Sequence, residues 1–186
     1  MDALELLVGR ESATRLSSPG PDQEALEKMF QSALRAPDHG RLRPWRFVVV
    51  PEEKRERFGE LMADCLRRMD PSASAEMLQR ERDKALRAPV IVVAAATIQR
   101  GHKIPDVEQL VSAAAAAENI MLAARAQGFG AMWKTGAPAY DATVKQALGL
   151  DPDNEIVGFL YVGTQVGGGS PAARPMVKDL VSVWQG

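Results

Sequence analysis

Cysteine is almost missing: the 186 residues include one, Cys65, so no disulfide can form within the chain. With only two histidines beside it, a transition-metal site of Cys/His type lacks ligands. Excess charge of either sign is also lacking. There are 23 Lys and Arg against 24 Asp and Glu, a formal net charge of −1, which leaves no broad basic surface for nucleic acid. Long apolar runs are absent too: Ala88–Thr97 and Ser112–Ala117 are too short to cross a bilayer, so no membrane partner is expected. The opening Met-Asp-Ala-Leu-Glu lacks a basic start followed by an apolar stretch, so the expected location is cytoplasmic. What is present is ordinary globular composition, 46% hydrophobic and 25% charged, which excludes a disordered chain. The length predicts one domain over residues 1–186.

Hydrophobic spacing gives the elements. Ala3, Leu4 and Leu7 share a helical face closed by Gly9, and a turn follows at Ser17–Pro21. Asp22 caps a helix reaching about Arg35, stopped by Pro37. Arg46–Val50 reads as a buried strand. Phe58, Leu61, Met62, Cys65, Leu66 and Met69 define a helix beginning after Pro51, and the charged stretch Ala75–Arg87 a more exposed one. Pro89–Thr97 reads as a strand covered on both faces. A long Ala-rich helix, Val107–Gln127, ends at Gly128; being apolar nearly all round, it suits a core or a subunit interface. Ala131–Thr135 is a short strand, Asp141–Leu148 a helix, and Glu155–Thr164 an apolar strand. After Gly167-Gly168-Gly169, Val177–Trp184 has strand-like character. Helices outweigh strands without βαβ alternation, so the expected class is α+β.

Several chemical templates fail. Gly128-Phe129-Gly130 follows a helix and has Trp133 where a third glycine belongs, which removes the dinucleotide-binding reading. Gly163–Gly169 lacks the Lys and Ser/Thr of a phosphate loop. Cys65, on an apolar stripe, reads as a small hydrophobe, and His102 as a loop residue. Two segments carry more chemistry. In Arg10-Glu11-Ser12-Ala13-Thr14-Arg15, guanidiniums flank hydroxyls just after a helix end, a donor set suited to phosphate. The plainer role of Arg10 is to complement the helix C-terminus. In Arg35–Trp45, three arginines and His39 sit on a loop stiffened by Pro37 and Pro44. Its plainer role is a solvated connector anchored by Trp45.

Those two segments, the helix ending Ala126-Gln127-Gly128-Phe129-Gly130, Trp133-Lys134-Thr135-Gly136 and Ile156–Thr164 follow one another in an order that resembles the nitroreductase family. The resemblance is closest to its compact NAD(P)H-dependent, FMN-containing subgroup and covers nearly the whole chain. It implies an α+β fold with a central mixed or antiparallel sheet surrounded by helices. It also implies a homodimer, with the Ala-rich helix and two FMN sites at the interface. Arg10, Glu11 and Ser12 match the segment holding the FMN phosphate side, while Arg35 and His39 match the loop lent by the partner subunit. Trp133, Lys134 and Thr135 match a further flavin-contacting segment. Ala123, Ala124, Arg125, Ala126, Gln127 and Gly128 match a stretch assigned to NAD(P). No side chain is expected to be catalytic, because the flavin carries the chemistry.

The implied activity passes hydride from NADH or NADPH to FMN and then to a nitroaromatic, quinone or similar small acceptor. The alternative is a flavin-holding or anion-binding module without turnover. Lys134, Arg15 and Arg41 are equally open as the cation that stabilises reduced flavin. Two departures stand out. Glu11 replaces a residue basic in many relatives, so its carboxylate is expected to point away from the phosphate. Arg41 and Arg43 stand where broader relatives carry Asn and Gln.

Overall fold

The computed structural model describes residues 2–169 and 173–186. Six α-helices are assigned among them: α1 (Ala3–Val8), α2 (Gln23–Ala33), α3 (Arg55–Met69), α4 (Ala75–Lys84), α5 (Asp106–Ala126) and α6 (Ala142–Ala147). The strands are β1 (Leu16–Ser17), β2 (Trp45–Val50), β3 (Val90–Ala96), β4 (Gly130–Lys134) and β5 (Glu155–Gln165). The longest, β5, organises the sheet: β3 and β4 both pair with it, β2 extends the sheet beyond β3, and β1 joins near the end of β5. Every pairing is antiparallel, and the β3–β5 register shifts at a bulge between Ala94 and Ala95. The class is α+β.

Strand alternation divides the interior into two cores. Val90, Val92, Ala94, Leu160 and Val162 pack with Met29, Ile120 and Met121 on the α2 and α5 side. Ile91, Val93, Phe159 and Tyr161 pack with Phe58 and Met62 of α3 on the other side. All seven residues of β3 are buried, which explains a run with no polar alternation. Alanines on α5 let α2 and the sheet approach closely, and Asn119 Nδ2 donates to the Ser32 carbonyl at 3.1 Å. No helix among the described residues is long and apolar enough to cross a membrane.

Three expectations need correction. Val177–Trp184 forms no strand; only Val177–Asp179 makes a 3₁₀ turn, and Trp184 is 90% exposed. β-propensity cannot form a strand where the backbone has no pairing neighbour. Ser17 belongs to the two-residue β1 and not to a turn, held by the Leu16–Gln165 and Ser17–Thr164 pairs. The helix read over Ala75–Arg87 tightens into a 3₁₀ turn at Ala85–Arg87, a common way for a last turn to close.

Candidate functional site

Helix α1 begins with a capping box, Asp2 accepting from the Glu5 amide, and closes at Gly9. The Ala13 amide then donates to the Ala131 carbonyl at 3.0 Å, which fixes residues 10–13 against β4. Arg10 Nε faces Glu118 of α5 at 3.4 Å. Burial pushes the Glu118 carboxyl above its ordinary range, and Arg10 only partly offsets this. Arg125, seven residues further along α5, shares that face because seven residues are nearly two turns. Its guanidinium lies against Gly9, and its Nε is buried with no hydrogen-bond partner. That nitrogen is sealed by protein, while the residue as a whole is half-buried, as are Arg10 and Ser12.

Two further features frame this corner. The Arg174 guanidinium donates to the Arg10 carbonyl, bringing in a cation 164 residues distant in sequence. Glu11 turns elsewhere, its carboxylate accepting from Gln165 Nε2 at 3.2 Å and from the Gly169 amide at 3.1 Å. Arg174 and the closeness of Arg125 to Gly9 escape sequence reasoning, since no local pattern encodes either contact.

The second segment is held rigidly on α5. Ser112 Oγ donates to the Pro37 carbonyl at 2.7 Å, and His39 Nδ1 lies 2.7 Å from Glu108 Oε2. The Asp38 carboxylate accepts from the Leu42 and Arg43 amides at 3.1 and 2.9 Å. These bonds sustain positive φ at Gly40 (71°), Arg41 (56°) and Arg43 (50°), a conformation rare for side-chain-bearing residues. Arg35, His39, Arg41 and Arg43 are all exposed. Beside the loop, Pro37, His39, Val107, Val111, Ser112 and Ala115 line a depression of about 340 Å³.

Within one chain the two segments are apart. Glu108 and Glu118 are ten residues apart on α5, roughly 15 Å along its axis and about 80° around it. The structure thus brings Arg10 and Arg125 together, leaves His39 near the start of α5, and places Arg35 between Ser32, which meets Asn119, and Pro37, which meets Ser112.

Strand β4 contributes a third group. Trp133 packs in the core on the α5 side, as Ala131 does, and its Nε1 donates to the Val157 carbonyl at 3.2 Å. Lys134 points to the opposite face of the sheet, and both Lys134 and Thr135 are exposed. In the stretch 123–128, Ala124 is buried in the core, and the Gln127 amide donates to the Ala25 and Ala123 carbonyls at 3.2 and 3.1 Å. That leaves Arg125 as its one charged group.

The model of the Nitroreductase family matches residues 7–164. YdjA of Escherichia coli (strain K12), named among the NAD(P)H nitroreductases, is 40% identical over 164 residues, 88% of each chain. A protein of Haemophilus influenzae with a name of the same class is 34% identical over 165 residues, 88% of this chain and 89% of that one. Among solved structures, a nitroreductase-like family protein from Bacillus cereus superposes with a TM-score of 0.83 at 21% identity, covering 100% of this chain and 97% of the other. A nitroreductase with bound FMN from Bacteroides fragilis gives 0.76 at 17% identity, with both chains fully covered. The motifs, the α+β topology and these matches agree, and the chain belongs to the nitroreductase family.

Proposed function

We propose that this chain is an FMN-dependent oxidoreductase using NADH or NADPH to reduce a small acceptor such as a nitroaromatic or a quinone. One observation carries the cofactor assignment: the guanidiniums of Arg10 and Arg125 meet on one face of α5 at the end of α1, with Arg125 against Gly9. Such a corner fits the dianionic phosphate of a flavin mononucleotide, which supplies charge for two guanidiniums. When bound, FMN supplies hydride transfer, from the nicotinamide in one half-reaction and to the acceptor in the other. Arg10 grips the phosphate through its planar fork and Ser12 donates its hydroxyl. Glu118 keeps Arg10 oriented until then. Trp133, on the α5 side of β4, would flank the ring; Lys134 and Thr135 open onto the other face of the sheet, which leaves Arg15 and Arg41 as the cations that would favour negative charge on it. The relatives' names support the nicotinamide donor, and a structural neighbour is described as FMN- and NADPH-dependent.

The working unit in this reading is a homodimer. Along α5, Val107, Val111, Ala115, Glu118, Leu122 and Arg125 recur at three and four residues; Val107 and Val111 are 62% and 60% exposed. If two copies cross antiparallel near Ala115, Ser112 of one lies opposite Glu118 of the other. The His39 loop of one chain then reaches the Arg10 corner of its partner, joining the segments that a single chain holds apart. Purified protein should be yellow, and anaerobic NADH or NADPH should bleach its absorbance near about 450 nm. Retained colour with both donors would reject the oxidoreductase and favour a flavin-holding module.

A further inference from the structure

On the sheet face away from α5, a cavity of about 310 Å³ opens between α3, α4 and the β4–β5 pair. Its body is apolar, made by Met62, Leu66, Met69 and Phe159. Its polar groups are not arranged as a surface would arrange them. Tyr161 is only 2% exposed, and what remains accessible of it includes a hydroxyl that opens on the cavity and bonds no described residue. Arg87 and Lys134 reach the same cavity and make no ion pair among the described residues, whereas Lys84 is already matched by Glu81. Counting Lys84, Arg87 and Lys134 against Glu81, the lining carries a formal excess of two positive charges.

We propose that this cavity is a second ligand site, for a small monocarboxylate with a compact apolar body. A planar carboxylate matches the fork of Arg87 and takes a further donor from Tyr161, and the apolar body displaces water from the methionines. A bare phosphate satisfies the cations but leaves the apolar lining wet. The site is distinct from the Arg10 corner, because strand alternation sends Trp133 toward α5 and Lys134 toward the cavity. Burial pushes the Tyr161 phenol up to about 12, so it remains a donor at neutral pH. The chain's one cysteine, Cys65, lies behind the cavity wall, fully buried, and burial pushes its thiol up to about 11, so it stays a neutral part of the apolar lining.

The probe is 2-naphthoate, titrated calorimetrically into the FMN-loaded protein, with 2-naphthamide and inorganic phosphate as comparisons. One naphthoate per chain should bind, at least about tenfold more tightly than the amide or phosphate. Tyr161→Phe and Arg87→Gln should each weaken it about tenfold. In unmutated protein, naphthoate should raise the melting temperature, a readout that needs no variant to fold. The proposal is overturned if naphthoate fails to bind, if both variants bind it unchanged, or if the melting temperature does not rise with it. It is equally overturned if phosphate binds as tightly. Binding that shifts the flavin spectrum and ignores both variants would place the acid over the flavin and overturn it too.

Discussion

Gly158 faces the indole of Trp133 so closely that an added Cβ would lie 2.1 Å from Nε1 and 2.6 Å from Cδ1. Gly158→Ala must therefore push the ring from its place and break its bond to the Val157 carbonyl. Overpacking of this kind costs about 1–3 kcal/mol. Urea unfolding should show that loss, with a red-shifted tryptophan emission as the indole moves toward water. If stability is unchanged, the close approach does not constrain this position. Residues differ in how far the sequence reveals them. Arg10 and Ser12 were legible because a guanidinium next to a hydroxyl after a helix end is a local pattern. Arg125 sat inside a stretch matched to a nicotinamide, and its place against Gly9 depends on how α1 packs on α5. Arg174 joins the corner from 164 residues away, a distance over which composition and periodicity carry no information.

Among the elements, α6 shows how one side chain sets a helix start. Asp141 accepts from the Val144 amide and from Arg68, each at 2.8 Å. Burial pushes its carboxyl up, but the Val144 amide, Arg68 and the Cys65 thiol together outweigh it and hold it below its ordinary value of 3.8. A folded-state value below the unfolded one means that the stabilisation is complete above about pH 4 and disappears as pH falls through the folded value. Asp141→Ala should cost about 0.5–2 kcal/mol near pH 7. The gap in melting temperature between mutant and parent should close in strong acid; a gap independent of pH would remove the charge from the explanation. Helix α3 and strand β3 were plain in the sequence because each has an unbroken pattern facing one or two cores. β1 was not, since two residues have no period. The C-terminal segment misled because Val177, Val181 and Val183 favour a strand by type, while pairing is what makes one.

For the whole molecule, the separation of His39 from Arg10 along α5 makes the shared-site dimer testable by mixing. Arg10→Ala should weaken FMN by about one to two orders of magnitude, the loss of a charge-assisted contact. His39→Ala should weaken it from the other subunit. When the two variants are unfolded and refolded together at equal concentration, about half the dimers are mixed, and each mixed dimer has one site free of both lesions. About a quarter of all sites should regain the affinity of the unmutated protein in a flavin fluorescence titration. No recovery after verified exchange would place both residues in one chain's site. The attachment of Ala13 to Ala131 carries a different consequence, for handling and storage of the protein. β4 pairs with β5 on one side, and the segment at residues 10–13 meets its other side through the Ala13–Ala131 hydrogen bond. If losing a bound phosphate loosens those residues, it bares unpaired amides and carbonyls, on which a neighbouring chain can add a strand. Colourless preparations should then be the ones that aggregate.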